Sequence, residues 1–154
     1  MTRNDTIFSL RYAVRVLERT TRFWARIDTL IKGLSLLSGS AAIFALGNES
    51  KTMTLALGLF FALTQAVEFS LRPSDRSAQA LGERTAYARL LARQASFADD
   101  ALDAAYQQIA SDDNLIAMEG LRRIAYNDVV EERGYDPSNA YVLTFWQRMM
   151  EFLA

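Results

Sequence analysis

The chain has no cysteine and no histidine in its 154 residues. The first absence excludes disulfides, thiolate zinc sites and thiol nucleophiles. The second excludes imidazole metal ligands, haem held through histidine, and Ser–His or Cys–His catalytic pairs. It also removes the side chain that switches charge near neutral pH. Proline occurs twice and glycine seven times, too rarely for a fibrous or low-complexity chain. The length is that of one ordinary domain, and 51% of residues are hydrophobic.

Charge is scarce in two places and segregated elsewhere. The net charge of −1 comes from 17 basic and 18 acidic residues. Residues 1–32 carry seven basic and three acidic groups, and residues 72–93 carry five and two. Residues 94–154 carry four basic and eleven acidic groups. Such asymmetry points to membrane or nucleic-acid contact rather than to a fold. Fifteen of the basic residues are arginine, the better fork for carboxylates and phosphates.

Gly33–Asn48 and Thr52–Val67 hold no charged residue. A membrane-spanning helix needs about 20 mostly apolar residues. Spans at 31–47 and 52–71 reach about that length, with Lys32 and Glu68 inside them near their outer ends. If the chain turns within Gly47-Asn48-Glu49-Ser50, Lys32 falls level with Glu68, and Asp28 with Arg72. Both pairs have opposite sign and predict ion pairs between adjacent helices. Small residues recur every four positions at Thr54, Gly58, Ala62, Ala66 and Ser70, and at Ser35 and Gly39. Such faces let helix backbones approach closely in lipid and predict helix packing there. The alternative is a soluble helical bundle with the same pair of helices as its core. The first apolar run begins after about 30 residues of polar helix, unlike a cleavable signal peptide. Arg11, Arg15, Arg19, Arg22 and Arg26 precede the first span, and Arg72 and Arg76 come after the second. The positive-inside rule then places both termini in the cytoplasm.

The region before the first span reads as the same helix extended inward, from about residue 6 to 46. Asn4 or Asp5 is the expected cap. Ile7, Leu10, Val14, Leu17, Thr21, Trp24, Asp28 and Ile31 form a heptad-like stripe. Pro73 is expected to end the second span, with Ser74 or Asp75 capping the next helix. From about 75 to Ser111 the chain reads as one helix, with Leu81, Ala88, Leu91, Ala95, Ala98, Leu102, Ala105 and Ile109 on its buried stripe. Asn114 caps a helix from Leu115 to about Arg133, closed by Gly134 with Pro137 beyond. Ser138 or Asn139 caps a last helix, 140–154. Its apolar face is Val142, Phe145, Trp146, Met149, Met150 and Leu153, and its aromatic stripe, Phe145, Trp146, Met149, Met150 and Phe152, is read as packing on the stripe of the 75–111 helix. An amphipathic anchor at a membrane surface is the second reading, weakened by Arg148 being the only base there. The predicted architecture is all-α: a cytoplasmic N-terminal helix over 6–30, a two-helix transmembrane hairpin, and a cytoplasmic helical region over 75–154 forming a bundle.

Chemistry is thinly represented. Asp99, Asp100, Asp103, Asp112, Asp113, Asp128, Glu131 and Glu132 cluster as carboxylates, but none has the glycine-punctuated spacing of a calcium loop. They read as solvated helix faces and turn caps. Gly33, Ser35, Ser38, Gly39 and Ser40 form no phosphate-loop pattern, and no serine has a base partner. The expectation is a chain with no catalytic, cofactor-binding or metal site, and not an enzyme. The arginine stripe at 11–26 has three readings: a solvated face, attraction to anionic lipid, or recognition of a phosphorylated ligand or of acidic 94–154 in a neighbouring subunit. No motif supports nucleic-acid binding.

Four segments carry a family likeness: GLSLLSGSAAIFAL (33–46), VEFSL (67–71), AYNDVVEERGYDP (125–137) and LTFWQRMMEFL (143–153). Over roughly residues 10–153 the chain resembles the SLATT group of two-transmembrane proteins and related bacterial and prophage membrane proteins. The resemblance implies an all-α inner-membrane protein that forms pores or disrupts membranes in bacterial or phage conflict, beside enzymes that make nucleotide signals. Asn127, Gly134, Trp146, Gln147 and Arg148 match the C-terminal words and are read as structural, Gly134 as a cap and Trp146 as a packing anchor. The expectation is of no attached sensor domain, so that a nucleotide signal or protein partner acts on the helical region. The leading functional reading is a homo-oligomeric pore or membrane-perturbing assembly in the bilayer, with Ser35, Ser38, Thr54 and Gln65 lining a wet path. The alternative is a non-catalytic membrane scaffold docking a partner on its acidic helices.

Overall fold

Thr2 starts the first helix, ahead of the expected Asn4 or Asp5. Its hydroxyl accepts from the Asp5 backbone N–H at 3.3 Å, and the Asp5 carboxylate accepts from the Thr2 N–H and hydroxyl at 3.0 and 2.7 Å. This reciprocal box satisfies donors that a helix start leaves open. The computed structural model describes residues 2–47, 51–113, 117–136, 138 and 140–154. Among these, the helices are α1 (Arg3–Gly47), α2 (Lys51–Leu71), α3 (Pro73–Ala92), α4 (Asp99–Asp112), α5 (Glu119–Glu132) and α6 (Phe145–Leu153). The described residues are all-helical or irregular, with no strand. Asn48, Glu49 and Ser50 of the expected turn, Asn114 and Leu115 at the expected helix start, and Pro137 and Asn139 lie outside the described residues.

Several boundaries differ from the sequence pattern for local reasons. Arg72, with φ of 45°, interrupts the helix, and Pro73 opens α3 instead of ending α2. A proline suits a first helical position because its missing N–H has no partner there anyway. The long helix expected over 75–111 breaks at residues 93–98. A short 3₁₀ turn, Gln94–Ser96, leads into extended Phe97 and Ala98, and Asp99 and Asp100 then open α4. The broken carbonyls find a partner in α1: Arg3 donates to Gln94 O at 2.7 Å, to Phe97 O at 3.1 Å and to the Asp99 carboxylate at 2.6 Å. α5 starts at Glu119, later than expected. α6 starts at Phe145 and not near 140; Thr144 and Gln147 form its capping box. Residues 140–144 are held outside any helix by Asn127, whose side chain bonds both the N–H and the C=O of Tyr141, at 2.7 and 2.8 Å.

The chain forms two compact units, Met1–Phe23 with Ser77–Ala154, and Trp24–Arg76. The first has a conventional core. Leu10 and Leu17 of α1 pack with Ala80, Tyr87 and Leu90 of α3 and Leu102 of α4. The α3 face is one residue off the expected stripe: Ala80, Tyr87 and Leu90 are buried, while Leu81 is exposed. Tyr87 can be inside because its hydroxyl donates to Asp113 at 3.2 Å. α5 contributes Leu121 and Ile124, packed with Ala154 and against Phe23, Leu143 and Met150. Gly120 lets α6 settle closely, since a Cβ there would lie 2.8 Å from the Met150 sulfur.

The second unit has inverted polarity. Ser35, Ser38 and Thr64 are buried, while Leu36, Leu55 and Phe69 are 73%, 74% and 76% exposed. α1 and α2 each contain a stretch long and apolar enough to cross a membrane. They touch where Phe61 lies 3.7 Å from the Cβ position of Gly39, and where Gln65 Nε2 donates to Ser35 Oγ at 2.7 Å. Contacts of 39 with 61 and 35 with 65 define an antiparallel register.

α5 ends in a left-handed cap. Gly134 has φ of 65°, its N–H bonds Glu131 O at 3.0 Å, and the Tyr135 N–H bonds Val130 O at 3.0 Å. This is a Schellman closure. Gly134→Ala should cost about 1 kcal/mol, because Cβ meets the carbonyl in this conformation. Gly134→Asn should cost less. Denaturant titration of the purified protein, monitored by near-UV dichroism, checks the order.

Candidate functional site

Two clusters concentrate the side chains that the sequence singles out. In Trp24–Arg76, most of the small-residue face of α2 is open. Gly58, Ala62, Ala66 and Ser70 are exposed, and Thr54 is partly so. A Cβ at Gly58 would meet nothing within 4 Å. Of the expected packing residues, Gly39 sits against the other helix, with Phe61 beside its Cβ position. The surfaces that do meet are hydroxyl- and amide-bearing, and they satisfy themselves. Ser38 donates to Leu34 O at 2.8 Å, and Thr64 to Phe60 O at 2.8 Å. Helical serine and threonine bond back to the preceding turn in this way. Gln65, placed by its four-residue spacing from Phe61, makes the cross-helix bond that charge counting missed.

The expected interhelical pairs rearrange. Lys32 bonds Asp28 on its own helix at 2.6 Å, the i,i+4 geometry that needs no second element. Neither Lys32 with Glu68 nor Asp28 with Arg72 forms an ion pair among the described residues. Arg72 leaves the α2 helical path through its positive φ, and its guanidinium lies 5.6 Å from the Phe69 ring centroid. Lys32 takes only one Asp28 oxygen; the other, Oδ1, is buried with no hydrogen-bond partner. A cleft of about 380 Å³ is lined by Asp28, Gln65, Glu68, Arg72 and Asp75.

The second cluster lies in the first unit, where α1 carries an arginine stripe and α5 a carboxylate stripe. Arg19 forms a two-pronged bond to Asp128, both contacts 2.9 Å. Arg11 and Arg15 share Glu132 at 2.9 and 3.0 Å. Arg15 and Arg22 also hold Glu18 of their own helix. Spacing of four along both helices brings the rows into register: 15 and 19 meet 132 and 128 in antiparallel order. The stripe read as solvated, lipid-facing or reaching a neighbouring subunit is therefore bound largely within the chain at Arg11, Arg15 and Arg19. Arg26 belongs to the other unit. Of the carboxylates read as solvated faces, Asp99 pairs with Arg3 while staying exposed, and Asp103 accepts from the Thr6 hydroxyl at 3.3 Å. The hydrogen bonds from Arg15 outweigh burial, which acts in the opposite direction, and with the Arg15 and Arg11 charges hold the Glu132 carboxyl below its ordinary range.

Three tyrosines, Tyr12, Tyr87 and Tyr106, line a separate cleft of about 380 Å³ with Asp113 and Arg122. Burial, then the neighbouring Asp113 carboxylate, pushes the Tyr87 hydroxyl well above its ordinary range. Among the C-terminal residues, Asn127 positions Tyr141 and Gly134 closes α5. Trp146 is 68% exposed and does not anchor the core as expected. Gln147 completes the α6 capping box. Among the described residues no group of three acidic side chains is arranged to hold a metal ion. Comparison with protein-family models, curated proteins and solved structures finds no match to this chain.

The Arg19–Asp128 pair is less than a quarter exposed on either side. A double-mutant cycle with Arg19→Met and Asp128→Asn should give a coupling on the order of 2 kcal/mol. The more exposed Arg22–Glu18 pair should give about 0.5 kcal/mol or less. Because the Glu132 pKa is depressed in the folded state, its contribution is complete above the ordinary carboxylate range near 4.5 and lost as pH falls through the lowered value. Near-UV dichroism across an acid titration should show α5 loosening there. Glu132→Gln should remove part of that dependence and weaken the fold at neutral pH.

Proposed function

We propose that the protein is an oligomeric integral membrane protein whose paired apolar helices form a transmembrane hairpin and assemble into a pore-forming or membrane-perturbing effector. The observation that carries the reading is the inverted polarity of Trp24–Arg76. Hydroxyls point inward, while Leu34, Leu37, Ile43, Phe44, Leu59 and Leu63 are exposed. The core helix of a water-soluble bundle buries such side chains, but among the described residues α2 buries only the polar Thr64 and no apolar side chain. In lipid that exposure costs nothing, whereas backbone and hydroxyl groups need internal partners.

Two helices cannot enclose a channel, so a pore requires several copies. The outward small-residue face of α2 suits contact with a second copy, because its Gly58 position is open and α1 packs elsewhere. Ser35 and Ser38, expected to line a wet path, face α1's own partner helix instead, which favours membrane perturbation or leak over a serine-lined channel. The resemblance to SLATT proteins supports the assignment to bacterial or phage conflict, an inner-membrane location with cytoplasmic termini, and control by a nucleotide signal or partner. The scaffold alternative loses ground where α1 arginines already occupy the acidic surface of α5. No feature of the carboxylate clusters favours an enzyme.

Inducible expression with a potential-sensitive dye tests the reading. Depolarisation and arrested growth are expected, with the protein retained in membranes after carbonate wash. Gly58→Leu should abolish depolarisation and lower the detergent-solubilised mass, while Leu59→Ile, off the stripe, should not. An intact potential at high expression would count against a constitutive pore. Release by carbonate would remove the membrane reading altogether.

A further inference from the structure

We propose that α6 is an interfacial anchor whose exposed apolar face lies in the headgroup region of the bilayer. The inference rests on the membrane reading above. Val142, Phe145, Trp146 and Phe152 are 89%, 74%, 68% and 81% exposed, and Met149 is 44% exposed. On a helical wheel Phe152, Phe145, Met149 and Trp146 span one arc of about 120°. Contiguous apolar surface of this kind marks a binding face in a soluble setting or a lipid contact. The helix is preformed for it. Thr144 and Gln147 cap the start, and Met150, on the adjacent edge of the wheel, seats the helix on Gly120 and the α5 cluster.

Lipid is the occupant the observations favour. The face presents five side chains, whereas a specific protein interface engages roughly 20–30 residues a side. Tryptophan and phenylalanine at an amphipathic surface match the chemistry of the membrane–water boundary, with an apolar ring body and, for the indole, an N–H for the wet side. The tether is short: Phe23 belongs to the cluster that holds α6, and seven residues of chain separate it from Ile31 at the start of the first span. So short a connection holds α6 at high effective concentration for the surface of the bilayer that the spans occupy. Weak insertion then suffices. Arg148 is the only base on the helix, and Glu151 opposes it. The contact should therefore depend on aromatic insertion and neither require anionic lipid nor weaken with salt.

The test uses full-length protein carrying Trp24→Phe, which leaves Trp146 as the only tryptophan, in phosphatidylcholine vesicles. The expected result is blue-shifted Trp146 emission, most of it lost when the lipid carries bromine at shallow acyl positions, with no change in high salt or on dilution into excess lipid. Phe145→Asp should return the emission toward that of a water-exposed indole without loss of carbonate resistance. Water-exposed, unquenched emission in a carbonate-resistant protein would overturn the anchor while leaving the spans standing. Shielding without bromine quenching, or quenching that fades on dilution into excess lipid, would assign the face to a second copy and also overturn it. Loss of carbonate resistance in the parent protein would instead overturn the membrane reading itself.

Discussion

Most large apolar side chains described between Leu30 and Phe69 find little cover within their own chain, and this lack of cover shapes the rest of their unit. Fourteen large hydrophobic residues between Leu30 and Phe69 are substantially exposed. At about 1.5 kcal/mol or more for each side chain left in water, the forgone burial is on the order of 20 kcal/mol. That exceeds the whole stability of an ordinary domain, about 5–15 kcal/mol. A solvent that is itself apolar removes the penalty. The proposed lipid setting would also account for the inward hydroxyls: Ser38 and Thr64 bond the preceding turn of their own helices, and Gln65 reaches Ser35, so these polar atoms have partners without water.

The first unit obeys the opposite rule and has an ordinary core. Leu10, Leu102, Leu121 and Ile124 are fully buried, and truncating any of them to alanine falls in the range of about 2–5 kcal/mol. Arginines add direction to this packing. The forked geometry of Arg19 on Asp128 selects one register of α5 along α1, since a slip of one residue would turn the carboxylate away. Arg3 does a different job at the other end of the stripe, binding carbonyls left open where α3 gives way to α4. A near-zero net charge thus coexists with helices aligned by opposite charges.

Much of the helical content was legible because its signals are local. Sixteen-residue uncharged runs, the Gly134 cap and the Ile7–Leu17 stripe each arise from short-range pattern. The misreadings share a cause. The break at residues 93–98 carries no proline or glycine, and it stands because Arg3, some ninety residues away, bonds its carbonyls. The α3 stripe was off by one: Tyr87 is inside, where Asp113, 26 residues away, satisfies its hydroxyl. α6 begins late because Asn127 holds Tyr141 extended. Lys32 and Asp28 paired along one helix, where proximity is guaranteed, and not across two.

Composition and periodicity by themselves determined that the described chain is helical, that two segments are long and apolar enough to cross a membrane, and that thiol and imidazole chemistry is excluded. These depend on residue identity and spacing alone. Tertiary structure decided which faces are used: that serines face inward and the small-residue stripe outward, that the arginines meet α5, and that the aromatic side of α6 is left exposed. A helix has several faces compatible with one sequence pattern, and the choice between them is made by what the distant parts of the chain can supply as partners.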